Sequence, residues 1–376
     1  MSDAKTIWQQ GSMSATVDKV PPPELIEHIE ATYLGTPGGL QYHHTTGIEK
    51  LKGMQNCYFL FMKRSGRMIG SIGYVLRNTK VGDQVVKSWL IRYFSVKAPM
   101  RSAQKSKKLT RKRPIADRTN SLLKDVTHII HDNPERLIDI DVKEVPKAVI
   151  YGLIEKDNER SRNFAEIGGY SKTGEVESFM FSRLWIRRNI AVEQLSEKEV
   201  PAMKKRLESF YYGYAFYFDD YLFLNKNYYV LRDGGEIIAG LQANEEAWEI
   251  RTIGNGFLDR IVKVLTRIPL IGKRFRYEEM RFLGIEGMYF APGYEKALYR
   301  LLEGVLAAKK QYLALMIMDP RSPEYQVFAK NRRLGPVHKV LGSFNGDIYM
   351  KFFNFPEDEK REIISRPVYI SIYDNT

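Results

Sequence analysis

Residues 58–77 read YFLFMKRSGRMIGSIGYVLR and residues 228–242 read YYVLRDGGEIIAGLQ. In the first stretch Tyr58 to Lys63 is a run of aromatic and apolar residues, Ser65 and Gly66 are turn formers, and Arg67 to Leu76 resumes the β pattern. This is a hairpin. In the second stretch Gly235, Ile237, Ile238 and Gly240 fall where Gly66, Met68, Ile69 and Ser71 fall in the first. The same hairpin is therefore written twice.

The elements downstream of each hairpin also recur. After the first come a strand from Lys87 to Val96 (KSWLIRYFSV) stopped at Pro99, the loop MRSAQKSKKLTRKRP, and the stretch ADRTNSLLKDVTHIIHD. In the last, Leu122, Leu123, Val126, Ile129 and Ile130 have the spacing of an amphipathic helix. A strand from Ala148 to Ile154 is next, then Asp157 and Asn158 as an N-cap, a helix over Glu159–Ile167 stopped by Gly168 and Gly169, and a strand from Glu175 to Phe181. After the second hairpin come a long strand at 281–290 (RFLGIEGMYF), a helix opened by Pro292 and Gly293 (YEKALYRLLEGVLAAKK), the strand YLALMIMD, the helix SPEYQVFAKNRRLG and a strand pair around NGDIYMKFF. A repeat on this scale predicts duplication of a whole α/β domain, with one copy in residues 1–190 and the other in 191–376. Residues 191–220 predict helices joining the two. Residues 255–276 form an added basic and apolar segment.

A length of 376 residues exceeds what one hydrophobic core usually organises, which agrees with two domains. With 44% hydrophobic and 27% charged residues the composition excludes a disordered or fibrous chain. No apolar run approaches the roughly 20 residues of a membrane-spanning helix, and the N-terminus lacks a basic region followed by an apolar core, so a cytoplasmic location is expected. The lone Cys57, in the apolar context NCYFLF, excludes disulfides and cysteine metal clusters and reads as a buried thiol. No metal site is expected from the six scattered histidines. A net charge of +13 and a pI near 9.4 favour an anionic partner: a nucleotide cofactor, a nucleic acid, an acidic carrier protein or a membrane surface.

The order of hairpin, long strand, loop into a helix, strand, and helix ending in Gly before another strand resembles the GNAT-type acyl-CoA N-acyltransferase fold, present in tandem. KDNERSRNFAEIGGY places Asn158, Gly169 and Tyr170 at the spacing of that family's Asn, short helix and Gly with an aromatic residue. Tandem arrangements of this kind resemble mycothiol synthase, protein N-myristoyltransferase and the Fem-type aminoacyl transferases. The resemblance implies an N-acyltransferase moving an acyl group, acetyl in the first instance or a longer chain, from a CoA thioester to a small-molecule or peptide amine by direct attack. It further implies that the pantetheine lies along the end of the first long strand, at Ser95, Val96 and Lys97, with Asn158 as a further contact. The cofactor phosphates would meet the loop carrying Arg101, Lys105, Lys107 and Lys108, where positive side chains replace the family's glycines. The second half has Gly293 at its helix start but Glu295 beside it and no basic residue, so it reads as a degenerate cofactor site on the acceptor side. Two other donors suit the charge, aminoacyl-tRNA or an acyl carrier protein, and a non-catalytic CoA- or nucleic-acid-binding protein is the alternative of another class.

Each candidate has a plainer reading beside it. The basic loop could be solvated surface, and Asn158 an ordinary helix cap. Tyr170, a candidate catalytic residue, could simply pack. An amine attacking a thioester needs a base; Glu286, the one carboxylate inside a long strand, is the candidate, against a structural Glu paired with Arg281 or Arg300. The run FYYGYAFYFDDYLFLNKNYY reads as core between the halves or as a pocket wall.

Overall fold

The computed structural model describes residues 4–35, 38–54, 56–96, 128–186, 191–254, 256–265, 272, 276, 278–331 and 333–374. Fourteen strands share one sheet: β1 Lys5–Gln10, β2 Met13–Asp18, β3 Gln41–His44, β4 Cys57–Arg64, β5 Arg67–Val81, β6 Gln84–Val96, β7 Ala148–Glu155, β8 Ser171–Ser182, β9 Glu193–Gln194, β10 Tyr228–Asp233, β11 Glu236–Thr252, β12 Met280–Phe290, β13 Leu313–Met318 and β14 Asn345–Phe353. The helices are α1 Pro23–Glu30, α2 Gly47–Gly53, α3 Glu159–Ile167, α4 Val200–Phe210, α5 Gly256–Leu265, α6 Ala297–Lys309, α7 Pro323–Asn331, α8 Pro336–Leu341 and α9 Glu357–Ser365. Both hairpins, both long strands and the Asn158-capped helix form where the sequence places them. NGDIYMKFF is a single strand, not a pair. The helix expected over 116–132 falls mostly outside the described residues; its end, 128–132, is helical.

The strand order is β1-β2-β4-β5-β6-β7-β14-β8-β13-β12-β11-β10-β9, with β3 added beside β11. From β4 inward at one end and from β10 inward at the other, this order reads the same. β6 and β7 are parallel neighbours, as are β12 and β13, and every other pairing is antiparallel. The centre holds an exchange: β14, from the end of the chain, pairs with β7, while β8 pairs with β13. Each half thus completes its sheet with the other's last strand. Apolar side chains cannot stay hydrated on either face of such interior strands, so β13 (LALMIM) is apolar throughout.

Alternation divides β4 between two faces. Phe59 and Phe61 pack with Leu25 of α1, Leu51 of α2 and Ile363 of α9, whereas Tyr58 and Leu60 face the side covered by Ala165 of α3. In the second half Leu298, Leu301, Leu302, Val305 and Leu306 of α6 are buried at one-face spacing against β11 and β12. The aromatic run after α4 divides: Tyr211, Tyr214, Tyr217, Phe218 and Tyr228 are buried with Tyr369 in the second half, while Ala215 and Phe216 enter the first half's core, where Phe216 stacks on Tyr151. The end of the chain binds the halves by charge as well. Arg77 of β5 donates from Nη1 and Nη2 to the two carboxylate oxygens of Asp374, each at 2.5 Å, and stacks on Phe218.

Candidate active site

β6 and β7 pair from Lys87–Ala148 to Leu90–Tyr151 and no further. β6 continues to Val96 and β7 to Glu155, so past those residues the strands diverge and their main-chain groups face a gap. A β-bulge, where β5–β6 register slips between Ser71 and Gly73, holds Tyr93 at φ 51° and turns the strand end outward. Gly152 of β7 keeps the gap open, because a Cβ there would already touch Ile91. The gap opens into a cavity of about 480 Å³. Its walls are Ile91–Ser95 and Gly152–Glu155; His28, Ile29 and Thr32 of the α1 end with Tyr42–His44 of β3 on one side; and His131, Asn158, Phe164, Ala165 and Tyr170 on the other.

Three of the residues singled out in the sequence meet here: Ser95, Asn158 and Tyr170. Asn158 Oδ1 accepts from Ser161 N at 3.1 Å, so it is a cap and a cavity residue at once. Tyr170 is 5% exposed, burial pushes its hydroxyl well above the usual range, and Oη has no partner among the described residues. Val96 ends β6, and only its backbone is described. Lys97, Arg101, Lys105, Lys107 and Lys108 lie outside the described residues.

Glu286 does not join them. It is absent from the cavity wall and is buried behind the end of the chain. Gln242 Nε2 (3.1 Å) and Asn244 Nδ2 (3.0 Å) donate to Oε1, and Ser371 Oγ donates to Oε2 at 2.6 Å. The expected pairing with Arg281 or Arg300 is corrected: Arg281 is on Glu279, and Glu286 is held by neutral donors. Burial pushes its carboxyl up to about 7, against the hydrogen bond from Ser371.

Other cavity residues, His28, Arg92 and Asp374 among them, were not singled out in the sequence. His28 Nε2 lies 2.6 Å from Ser95 Oγ; the available signal was its place three residues after buried Leu25 on one face of α1. Arg92 and Asp374 also line the cavity. Among its ring nitrogens His44 has a buried Nδ1 without a partner among the described residues, and burial followed by the nearby Lys50 and Arg92 charges holds its pKa down to about 3.

The second half repeats the frame of the gap. β12 and β13 pair only at Leu283–Ala314 and Gly284–Leu315. β11–β12 register slips between Gly240 and Gln242, and Gly287 stands at φ 57° where Tyr93 stands in the first half. The registers match Arg92 with Glu286, Gly152 with Met316, and Asn158 with Ser322. Here, however, Tyr228 Oη donates to Gly287 O (2.9 Å) and Tyr211 Oη to Met288 O (2.7 Å), and buried Met316 takes the place of the glycine. The chain fills its own second gap.

A duplicated mixed α/β unit with parallel strands parting at a bulge is the two-domain GNAT-type N-acyltransferase fold. Comparison with solved structures agrees: Saccharomyces cerevisiae N-myristoyltransferase with bound myristoyl-CoA aligns over 97% of this chain and 90% of its own, with a TM-score of 0.53 and 11% identity. A structure of the same yeast enzyme with myristoyl-CoA and inhibitors aligns over 96% and 87%, at 0.51 and 10%. A GCN5-related N-acetyltransferase from Sphaerobacter thermophilus aligns over 78% and 80%, at 0.42 and 12%. At these identities the likeness is one of fold. No protein-family model matches the sequence, and no curated protein does.

Proposed function

We propose that this protein is an N-acyltransferase that binds an acyl-CoA thioester in the gap between β6 and β7 and passes the acyl group to an amine by direct attack. The observation that supports it most is the difference between the gaps: the second half closes its own with Tyr211 and Tyr228 on the bulge carbonyls and Met316 on the inner strand, whereas the first, where only Ser71 Oγ reaches Tyr93 O at 3.4 Å, lines a cavity of about 480 Å³. In this reading Ser95, Val96 and Lys97 run beside the pantetheine, and Asn158 touches it from the α3 start. Arg101, Lys105, Lys107 and Lys108 hold the phosphates by charge-assisted hydrogen bonds. Tyr170, with a buried unpartnered hydroxyl in the cavity wall, is the proton donor to the leaving thiolate. Glu286 acts as a support for the end of the chain through Ser371. The second half shapes the acceptor side. Apolar walls at Ile91, Ile154, Phe164 and Phe344 favour an acyl chain longer than acetyl.

Titration with acetyl-CoA and with a series of longer acyl-CoAs, followed by calorimetry and thermal shift, tests this directly. Stabilisation rising with chain length is expected, and none from any thioester would overturn the reading. Replacing Lys105, Lys107 and Lys108 together by Ala should weaken binding by roughly tenfold or more, whereas replacing Tyr294 and Glu295 should not. Equal losses would put the cofactor in the other half.

A further inference from the structure

We propose that the amine acceptor carries a carboxylate next to its amine, as an amino acid does, and that Arg92 binds this carboxylate inside the cavity. The inference rests on the acyl-transfer reading and names its acceptor. Arg92 is the residue before the bulge at Tyr93, so its guanidinium stands where the strands part. Its side chain is only 10% exposed, and it lines the cavity. A guanidinium so placed ordinarily has a bidentate carboxylate. Arg92 has none among the described residues. Its nearest carboxylate oxygen is Asp374 Oδ1 at 3.7 Å, and Arg77 already takes both oxygens of Asp374 at 2.5 Å. Among the described residues Nη1 otherwise meets Met54 Sδ at 3.5 Å, a weak acceptor, and the guanidinium lies over the Tyr93 ring at 4.8 Å.

The neighbouring charges leave Arg92 only partly compensated, because it shares the one carboxylate of Asp374 with Arg77. Lys50 is paired with Glu246, and Asp374 with Arg77. Glu286, the register equivalent of Arg92 in the other half, is engaged by Gln242, Asn244 and Ser371. Two buried guanidinium groups sharing one carboxylate leave one positive charge in excess, and a bound carboxylate would balance it at the moment of binding. His44 is the second feature of the site. It comes from β3, which crosses to pair with β11, and it lines the same cavity as Arg92, with its Nδ1 partnerless among the described residues. With its proton on Nε2, this imidazole can accept a hydrogen bond from the amine of an acceptor whose carboxylate sits on Arg92.

The reaction then balances without a further reagent. The ammonium releases one proton to solvent as the acceptor enters, His44 Nδ1 accepts a hydrogen bond from the resulting amine, and its lone pair forms the C–N bond to the thioester carbonyl. The C–S bond breaks, and the second proton lost by nitrogen ends on the thiolate, giving an N-acyl amino acid, free CoA and one released proton. Burial first, then the Lys50 and Arg92 charges, keeps His44 neutral and its Nδ1 an acceptor.

The test supplies acetyl-CoA and myristoyl-CoA in turn, with the common amino acids or their carboxamides as acceptors, and measures thiol release and acylated products by mass spectrometry. Amino acids should exceed the matching amides by about 10²-fold or more in kcat/KM, because an amide cannot neutralise the guanidinium. Arg92→Gln should remove that preference by lowering kcat/KM for the acids alone, Arg92→Lys should retain part of it, and both should leave acyl-CoA affinity as it was. Equal use of acids and amides, or equal loss with both in Arg92→Gln, overturns the carboxylate site while leaving acyl transfer standing. Calorimetry with a non-transferable acyl-CoA ketone analogue covers the case in which no product forms. Amino-acid binding lost in Arg92→Gln supports the site, and no amino-acid binding to the unmodified protein rejects it. Absence of acyl-CoA binding itself would instead remove the acyltransferase reading beneath it.

Discussion

The gap between β6 and β7 and the gap between β12 and β13 share a frame and differ in what fills them. Both begin where a short parallel pairing ends, and both lie beside a bulge whose central residue has positive φ, Tyr93 or Gly287. The first has Gly152 on its inner strand and Arg92 before its bulge. The second has Met316 and Glu286 at those places, with two tyrosine hydroxyls on the bulge carbonyls. A fold that opens a sheet exposes polar main chain, and that main chain must be paired with something. In one half the partner is the chain itself. In the other the strand ends line a cavity of about 480 Å³.

The strongest way to break this comparison is to give the first gap the second gap's residue. Gly152 has no positive φ, so Gly152→Met strains no backbone, but its side chain enters the space where Ile91 is already near. Acyl-CoA affinity should fall by roughly 10²-fold or more, read by calorimetry, with circular dichroism confirming the fold. Unchanged affinity would mean that the gap is not the binding site.

The same comparison shows what was legible beforehand. Hairpins, caps and long strands announce themselves locally, through Ser65–Gly66, Asp157–Asn158 and the aromatic alternation of β4, and all form as read. The exchange of β8 and β14 has no local signature, since either strand reads equally well as pairing within its own half; only the joint burial of both decides. For the site, Asn158 and Tyr170 were found because a spacing marked them. His28, Arg92 and Asp374 were not, because they meet from positions far apart in the chain, and Arg92 inside a strand looks like any outward-facing charge. The bulge at Tyr93 was equally hidden, whereas Gly287 hints at its counterpart.

A second test compares the two bulge positions through charge. Glu286 titrates from 4.5 in the unfolded chain up to about 7 in the fold, chiefly through burial. The folded state therefore holds the proton more tightly, and the associated stability is complete below about pH 4.5 and lost as pH rises through about 7. The loss amounts to about 3 kcal/mol. Glu324 is raised to about 7 as well and acts in the same direction, while neutral buried His44 and His131 act oppositely on acidification. The difference between unmodified protein and Glu286→Gln isolates the one group: measured by denaturant unfolding, the unmodified protein should lose about 3 kcal/mol relative to the variant between pH 4.5 and 8. A parallel difference at all pH values would show that Glu286 is not proton-loaded by the fold. A roughly 10²-fold fall in turnover at unchanged acyl-CoA affinity would return Glu286 to the role of base.

The smallest effect separates two helix caps at matching positions. Asn158 Oδ1 accepts from Ser161 N at 3.1 Å, and Ser322 Oγ accepts from Tyr325 N at 3.2 Å, so each supplies an acceptor to a free first-turn N–H. As caps alone they are interchangeable, and Asn158→Ala and Ser322→Ala should each cost about 1 kcal/mol of stability. Only Asn158 also faces the open cavity; Ser322 is 1% exposed and stands beside the filled gap. Loss of a single ligand hydrogen bond weakens binding by roughly three- to tenfold, so Asn158→Ala should lower acyl-CoA affinity by that factor while Ser322→Ala leaves it unchanged. Measuring unfolding and acyl-CoA titration on the same two proteins separates the contributions, because a cap loss moves only the first and a cofactor contact moves both. If the two variants lose stability alike and neither loses affinity, Asn158 is a cap and nothing more, and the cofactor reaches the open gap without it.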